Sequence, residues 1–253
     1  FNEDQPIKIG SIAEVSFRNK NYLGVVISIS NQTQIKNKKI KSIQKISNYL
    51  LSKKNIKFLE WVSSYNLIPR GLVLRMILPK SEGYFIKDDD SKNSQDLLSP
   101  KYLKLNETQS KARAKIERIF LQNDYSTILL DGMPGSGKTE VYFDLIAKNI
   151  SRKKQSLILF PEVSLTNEFI KRVEERFGCA PDIWHSKITP TKKRKIIERV
   201  VSGKSKILIG ARSALFLPFK NLGLLIVDEE HDSSYKQEAV SYTHLRAHET
   251  PAN

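Results

Sequence analysis

An α/β fold, a parallel sheet with helices on both faces behind a smaller β-rich region, is what this sequence predicts, on three observations. Short apolar runs alternate with amphipathic stretches from residue 126 onward, the pattern of the βα units that build parallel sheets. One run opens directly into Gly132-Met133-Pro134-Gly135-Ser136-Gly137-Lys138-Thr139, which fits the phosphate-binding spacing G-x-x-x-x-G-K-[ST]. Another, Leu224-Leu225-Ile226-Val227, leads into Asp228-Glu229-Glu230-His231. That places carboxylates at the C-terminal tip of a buried strand, the usual ligand position in open α/β sheets.

The elements follow in chain order. Residues 11–17 alternate apolar and polar side chains, Arg18-Asn19-Lys20-Asn21 makes a polar turn, and residues 22–29 continue as a strand, so residues 1–35 read as a small barrel or hairpin. The turn carries Arg18 and Lys20, which could touch phosphate; surface solvation explains them equally well. Residues 36–54 are dense in lysine, with Lys36, Lys38, Lys39 and Lys41 among them, and a run of this kind reads first as a solvated face. Residues 56–65 have helical spacing, with Phe58, Leu59, Val62 and Tyr65 as an inward stripe. Pro69-Arg70-Gly71 breaks the chain and residues 72–79 resume. Two short helices suit a winged-helix module, with most of its aromatics in the core. Residues 86–101 are polar and read as a linker.

Asn106 then offers an N-cap and Gln109 falls three residues later, a capping box opening a helix that runs through Leu121. Gln109 therefore has a structural role available, and reading adenine is its alternative. Residues 127–131 form the strand before the glycine-rich loop, and a helix follows with Val141, Tyr142, Leu145 and Ile146 on one side. Gly132, Gly135 and Gly137 let backbone N–H groups, including that of Ser136, wrap a phosphate with no Cβ in the way. The helix start adds free N–H groups and a positive dipole end. Lys138 reaches the β- and γ-phosphates of ATP, and the Thr139 hydroxyl suits Mg²⁺. Asp228 would hold the same ion through water, and Glu229 would polarise the water that attacks the γ-phosphate. His231 has no task in simple hydrolysis and points to coupling with a second ligand. Strands at 157–160 and 206–209 and helices at 165–177 and 192–202 complete the pattern.

Composition bounds the function. The 253 residues suffice for two modest domains or one large one, and 40% apolar content permits a real core. A net charge of +15 favours a polyanionic partner, DNA or RNA before a membrane surface. The single cysteine, Cys179, excludes an internal disulfide framework and a cysteine-based zinc site within the chain. No apolar run reaches the roughly 18 residues of a membrane span, and no secretory leader pattern is visible. A cytoplasmic, nucleoid-associated protein is the expectation.

Several segments together resemble one family, the bacterial primosomal replication-restart helicases, over about residues 7–238. The loop from Asp131 to Thr139 with the trailing Glu140-Val141-Tyr142 is similar to that family's phosphate loop. Phe160-Pro161-Glu162-Val163-Ser164-Leu165-Thr166 resembles its motif Ia, Trp184-His185-Ser186 its Leu-His-Ser turn, and Gly210-Ala211-Arg212-Ser213-Ala214-Leu215-Phe216 its motif Ib. Residues 226–237 resemble motif II and the segment after it, and residues 105–109 its adenine-contact stretch.

The resemblance implies a superfamily-two, 3′-to-5′ DNA helicase acting at stalled forks. Its parts would be a 3′-end DNA-binding module (1–47), a winged helix with linker (48–98) and a first RecA-like motor lobe (99–238). Pro161, Arg212 and Ser213 would line the path of a single strand, and the Tyr235 segment with His231 would link nucleotide state to strand contact. Single-stranded-DNA-binding protein and other primosome proteins would be partners, and zinc would belong to a later part of the protein.

Departures from the family pattern are Met133-Pro134 for Val-Thr, which removes one N–H, and Ala211 for threonine, which removes a hydroxyl. Residues 239–253 match nothing in the family and read as a non-native tail; the zinc insertion and second lobe are not found. His244 and His248 lie four residues apart there without a third ligand. The residues by themselves leave two rival readings, a non-motor P-loop enzyme and a DNA-binding module with a vestigial ATPase lobe.

Overall fold

The computed structural model describes residues 6–33, 40–78, 101, 104–122, 125–161 and 166–235. Two sheets organise it. The first is antiparallel, order β2-β1-β3, from β1 (Ser11–Phe17), β2 (Lys20–Val25) and β3 (Ile43–Leu50). The β1–β2 turn is Arg18-Asn19, with φ of 47° and 60°. Positive φ at both central residues suits the twist of a tight hairpin, and the Arg18 guanidinium lies 5.4 Å from the Phe17 ring centroid. β2 ends at Val25, short of the expected residue 29; Ile27 and Ile29 are both more than half exposed, so burial does not hold them in a strand.

β3 lies inside the lysine-rich stretch read as a solvated face. Its buried residues are Ser47 and Tyr49, and Lys45 on the outer side pairs with Glu14 at 3.6 Å. The charge density around it hid a strand whose buried residues lie in its second half, past Lys45. Lys36, Lys38 and Lys39 fall outside the described residues, as do the linker up to residue 100 and residues 239–253 with His244 and His248.

Two helices follow, α1 (Lys53–Asn66) and α2 (Arg70–Ile77). Ser52 caps α1 by accepting from the Asn55 N–H at 3.1 Å. Leu59 and Val62 are buried as expected, but Tyr65 is 74% exposed and Trp61 58%. The aromatic stripe is thus an outward stack, Phe58 on Trp61 and Trp61 on Tyr65, with centroids 6.2 and 5.2 Å apart. The inward face is taken by Leu59 and Val62, and Phe58 lies at its margin, partly buried against the same core.

The second sheet is parallel, order β5-β6-β4-β7, from β4 (Gln155–Leu159), β5 (Asp182–Trp184), β6 (Ile207–Gly210) and β7 (Leu222–Val227). Alternation along β4 sends Leu157 and Leu159 to one face and Ile158 to the other. The Ile158 face is covered by α4 (Lys138–Ser151) and α5 (Asn167–Phe177) through Phe143, Ile146, Val173 and Phe177. The Leu157 face is covered by α6 (Pro190–Ser202) through Ile197 and Val200. That apolar cluster continues without interruption into Ile12, Tyr49, Leu51, Leu59 and Val73 of the first region. The two sheets therefore share one core. Buried Gln155 ties the start of β4 to its surroundings, donating to the carbonyls of Val200 and Ser205 and accepting from the Asn221 N–H.

Residues 127–131 are not a strand here: no ladder pairs them with β7 or with any other described strand. Leu130 packs beside Ile116, Val141 and Leu145, whereas Leu129 is 76% exposed. An apolar run becomes a strand only where a neighbouring backbone supplies hydrogen bonds. The side of β7 away from β4 has no partner among the described residues, and Leu222, Leu225 and Val227 are each about two-fifths exposed there.

Candidate nucleotide and strand site

The phosphate loop lies against α3 (Glu107–Leu121). Asn106 and Gln109 form the reciprocal capping box: Asn106 Oδ1 accepts from the Gln109 N–H at 2.8 Å, and Gln109 Oε1 accepts from the Asn106 N–H at 3.0 Å. The remaining end of Gln109 donates from Nε2 to the Ser136 carbonyl at 3.1 Å. Both ends of the amide are thus engaged in shaping the loop. Gly137 has φ of +82°, and a Cβ there would sit 2.2 Å from Gln109 Nε2, so both backbone conformation and space demand glycine. Gly135 also has positive φ, +76°, and a Cβ on it would meet open space. α4 begins at Lys138, so its first amides lack intrahelical partners and face the loop. Lys138 Nζ donates to the Gly132 carbonyl and, at 3.3 Å, to the Met133 carbonyl. The ammonium therefore hangs over the loop where phosphate oxygens would compete for it.

β7 delivers Asp228 to the same place. Its N–H donates to the Leu159 carbonyl at 3.0 Å, extending the ladder by one residue. Its carboxylate is held on both oxygens: Oδ1 accepts from the Glu229 N–H at 3.0 Å and Oδ2 from the Tyr142 hydroxyl of α4 at 2.8 Å. Thr139 lies one turn before Tyr142 on the same helix face. Burial first, then the Asp228 charge, pushes the Tyr142 phenol well above its ordinary value, so it remains a donor. Glu229 adopts φ of 51°, a left-handed conformation that a non-glycine residue holds only when its surroundings impose it. Glu230 and His231 are exposed on the following turn.

A second group lies at the C-terminal ends of β4, β5 and β6. Phe160, Pro161, Trp184, His185, Lys187, Gly210 and Ala211 line a cavity of about 190 Å³. Arg212 and Ser213 open a 3₁₀ turn (Arg212–Phe216) beside it and are exposed. Trp184 Nε1 donates to Ser213 Oγ at 3.2 Å, and Lys193 lies 5.9 Å from the indole centroid. The two groups are joined by Tyr235: its hydroxyl donates to the Asp228 carbonyl at 2.9 Å, and its own carbonyl accepts from Arg212 Nη1 at 3.4 Å. Glu162 falls outside the described residues. Arg18 and Lys20 lie on the separate antiparallel sheet.

Sequence reasoning missed Tyr142 and Trp184 as polar partners. Tyr142 follows Thr139 by three positions and so shares its helix face, a signal overlooked because tyrosine also satisfies an apolar stripe. No local signal connects Trp184 to Ser213, which are 29 residues apart.

Comparison with known proteins decides the family. The model of the DEAD/DEAH box helicase family matches residues 106–252. The chain belongs to the DEAD/DEAH box helicases. The model of the PriA 3′ DNA-binding domain matches residues 1–79. The chain is 38% identical over 237 residues to the replication restart protein PriA of Rickettsia conorii, covering 93% of this chain and 35% of that protein. PriA of Helicobacter pylori J99 is 32% identical over 238 residues, 94% of this chain and 36% of the relative. PriA of Bacillus subtilis is 38% identical over 144 residues, 57% of this chain and 18% of the relative. The chain thus spans about a third of the length of the first two relatives. As a helicase lobe it has the parallel sheet, the phosphate loop and the acidic strand tip in one unit. No helix among the described residues is long and apolar enough to cross a membrane.

Proposed function

We propose that this chain is the DNA-binding and first motor part of an ATP-driven, 3′-to-5′ replication-restart helicase of superfamily two. Its parts are a 3′-end module at 1–47, a winged helix at 48–98 and a motor lobe at 99–238, with 239–253 standing apart from them. The observation that carries this reading is the meeting of Asp228 with the phosphate-loop helix, through the 2.8 Å hydrogen bond from Tyr142. It brings the Asp228 carboxylate to the helix whose first turn carries the Thr139 hydroxyl, and hard oxygen donors of this kind are what Mg²⁺ takes beside a triphosphate. When bound, Mg²⁺ neutralises charge on the β- and γ-phosphates.

The rest falls to the chain. Lys138 leaves the loop carbonyls for phosphate oxygens, the loop amides cradle them, and Glu229 orients the attacking water. Arg212, Ser213 and Pro161 grip the backbone of a single strand, a mode of contact indifferent to sequence. Tyr235 and His231 carry the nucleotide state towards that strand, and Arg18 and Lys20 contact DNA phosphate on the first module. Forked and single-stranded DNA are the substrates, and single-stranded-DNA-binding protein and other primosome proteins the partners.

Because the relatives are longer, turnover is tested in a full-length version and binding in the 253-residue chain. The 253-residue chain should bind ATP weakly and DNA in a salt-sensitive way, with little hydrolysis. Lys138→Ala should abolish ATP binding in the chain and DNA-stimulated hydrolysis in the full-length protein, while leaving fork binding intact. Hydrolysis that survives this substitution would refute the assignment.

A further inference from the structure

We infer that Tyr142 is the positioning residue of the metal site, tying Asp228 to the helix that carries Thr139 so that nucleotide binding depends on Mg²⁺. This rests on the nucleotide-site reading above and adds a third side chain to it. The ring is 6% exposed and packs edge-on against Phe143 with centroids 5.4 Å apart. It belongs to the cluster that contains Phe160, Val173 and Ile209. A ring fixed on that many sides cannot swing its hydroxyl away from the site. The hydroxyl donates to Asp228 Oδ2 at 2.8 Å, and the oxygens to be aligned are those of Asp228 and of Thr139, which lies one turn before Tyr142 on the same helix.

These oxygens come from different elements, the last residue of the β7 ladder and the first turn of α4. Their relative placement is otherwise set only by helix–sheet packing, which tolerates shifts that oxygen coordination of Mg²⁺ does not. Asp228 Oδ1 is meanwhile held by the Glu229 N–H, so the carboxylate is restrained on both sides and its free lone pairs are aimed rather than left to rotate. Tyr142 does not touch phosphate or the ion in this scheme; it acts through Asp228.

The test compares the 253-residue chain with its Tyr142→Phe variant, which keeps the ring and loses only the hydroxyl. Affinity for a fluorescent ATP analogue is measured with Mg²⁺ and with EDTA, and the thermal unfolding midpoint of each protein is recorded. The inference expects a drop of about ten-fold or more in the Mg²⁺-dependent gain in affinity, the size typical of groups that orient metal ligands. Binding in EDTA should stay unchanged, because the phosphate loop is untouched. Asp228→Asn should show the same loss, and adding Tyr142→Phe to it should cause little more. An unaltered Mg²⁺-dependent gain in Tyr142→Phe overturns the inference and leaves the nucleotide-site reading standing. Equal losses with and without Mg²⁺ also overturn it, since they mark a merely structural role. Wild-type chain that binds no nucleotide in either buffer overturns the nucleotide-site reading and this inference with it.

Discussion

Trp184 shows how a single side chain can serve packing and chemistry together. It is 6% exposed, yet its indole N–H reaches Ser213 Oγ at 3.2 Å. Accepting that bond leaves the serine hydroxyl its own proton to donate, and in the proposed strand path a backbone phosphate would accept it. Trp184→Phe keeps most of the apolar surface and frees the serine rotor. Single-strand affinity, measured by fluorescence anisotropy, should fall about five-fold, the equivalent of one neutral hydrogen bond of about 1 kcal/mol. The slope of affinity against salt should not change, because no cation is removed. The residues of the phosphate loop and of the Asp228 tip were legible in the sequence, since both are contiguous and their spacing encodes the chemistry. Tyr142 and Trp184 were not, because their polar roles exist only once elements distant along the chain are brought together.

At the level of elements, the clamp between α3 and α4 governs how firmly the loop is held. Buried Asp144 accepts from Arg113 Nη1 at 3.2 Å, and Lys148 pairs with Glu117. Arg113→Met leaves the Asp144 carboxylate, which is 3% exposed, without its cation. The cost in urea unfolding should be on the order of 2 kcal/mol, a charged hydrogen bond lost at a half-exposed guanidinium. The Lys148 hydrogen bond, and secondarily the charges of Lys148 and Arg113, hold the Glu117 carboxyl below its ordinary value of 4.5. A depressed folded-state value means that this stabilisation is present above pH 4.5 and is lost as pH falls through the folded value. Unfolding curves of wild type and Lys148→Met should therefore differ at neutral pH and converge in acid.

Strands β4 and β6 were readable as apolar runs because both their faces are buried, and β7 was readable from its apolar run although its residues are only partly covered. β3 was not, since it carries few apolar residues and lies within a lysine-rich stretch. Residues 127–131 carry a strand-like composition, but composition does not provide a pairing partner.

Across the molecule, the first region is tied to the motor lobe by apolar contact at one informative place. Phe58 of α1 lies 5.8 Å, centroid to centroid, from Phe216. Phe216 ends the same 3₁₀ turn that begins with Arg212 and Ser213. The residues proposed to grip a strand are thus seated directly on the neighbouring region. Phe216→Ala should cost about 2 kcal/mol for a partly buried ring. It should also split the single calorimetric transition into two, as the two sheets cease to melt together. That the β-rich region and the parallel sheet share a core was not visible in the sequence, where charge and composition divide them.

The outer margin of β7 has a consequence for handling the protein. Amide and carbonyl groups along a strand flank with no partner among the described residues, with leucine and valine beside them, form a template for an extended peptide. In concentrated solution the nearest such peptide is another copy of the same chain. The surplus of like charge holds copies apart at low ionic strength, and salt weakens that repulsion. Solubility of this chain is therefore governed by two opposing salt effects, one freeing it from DNA and the other bringing its copies together.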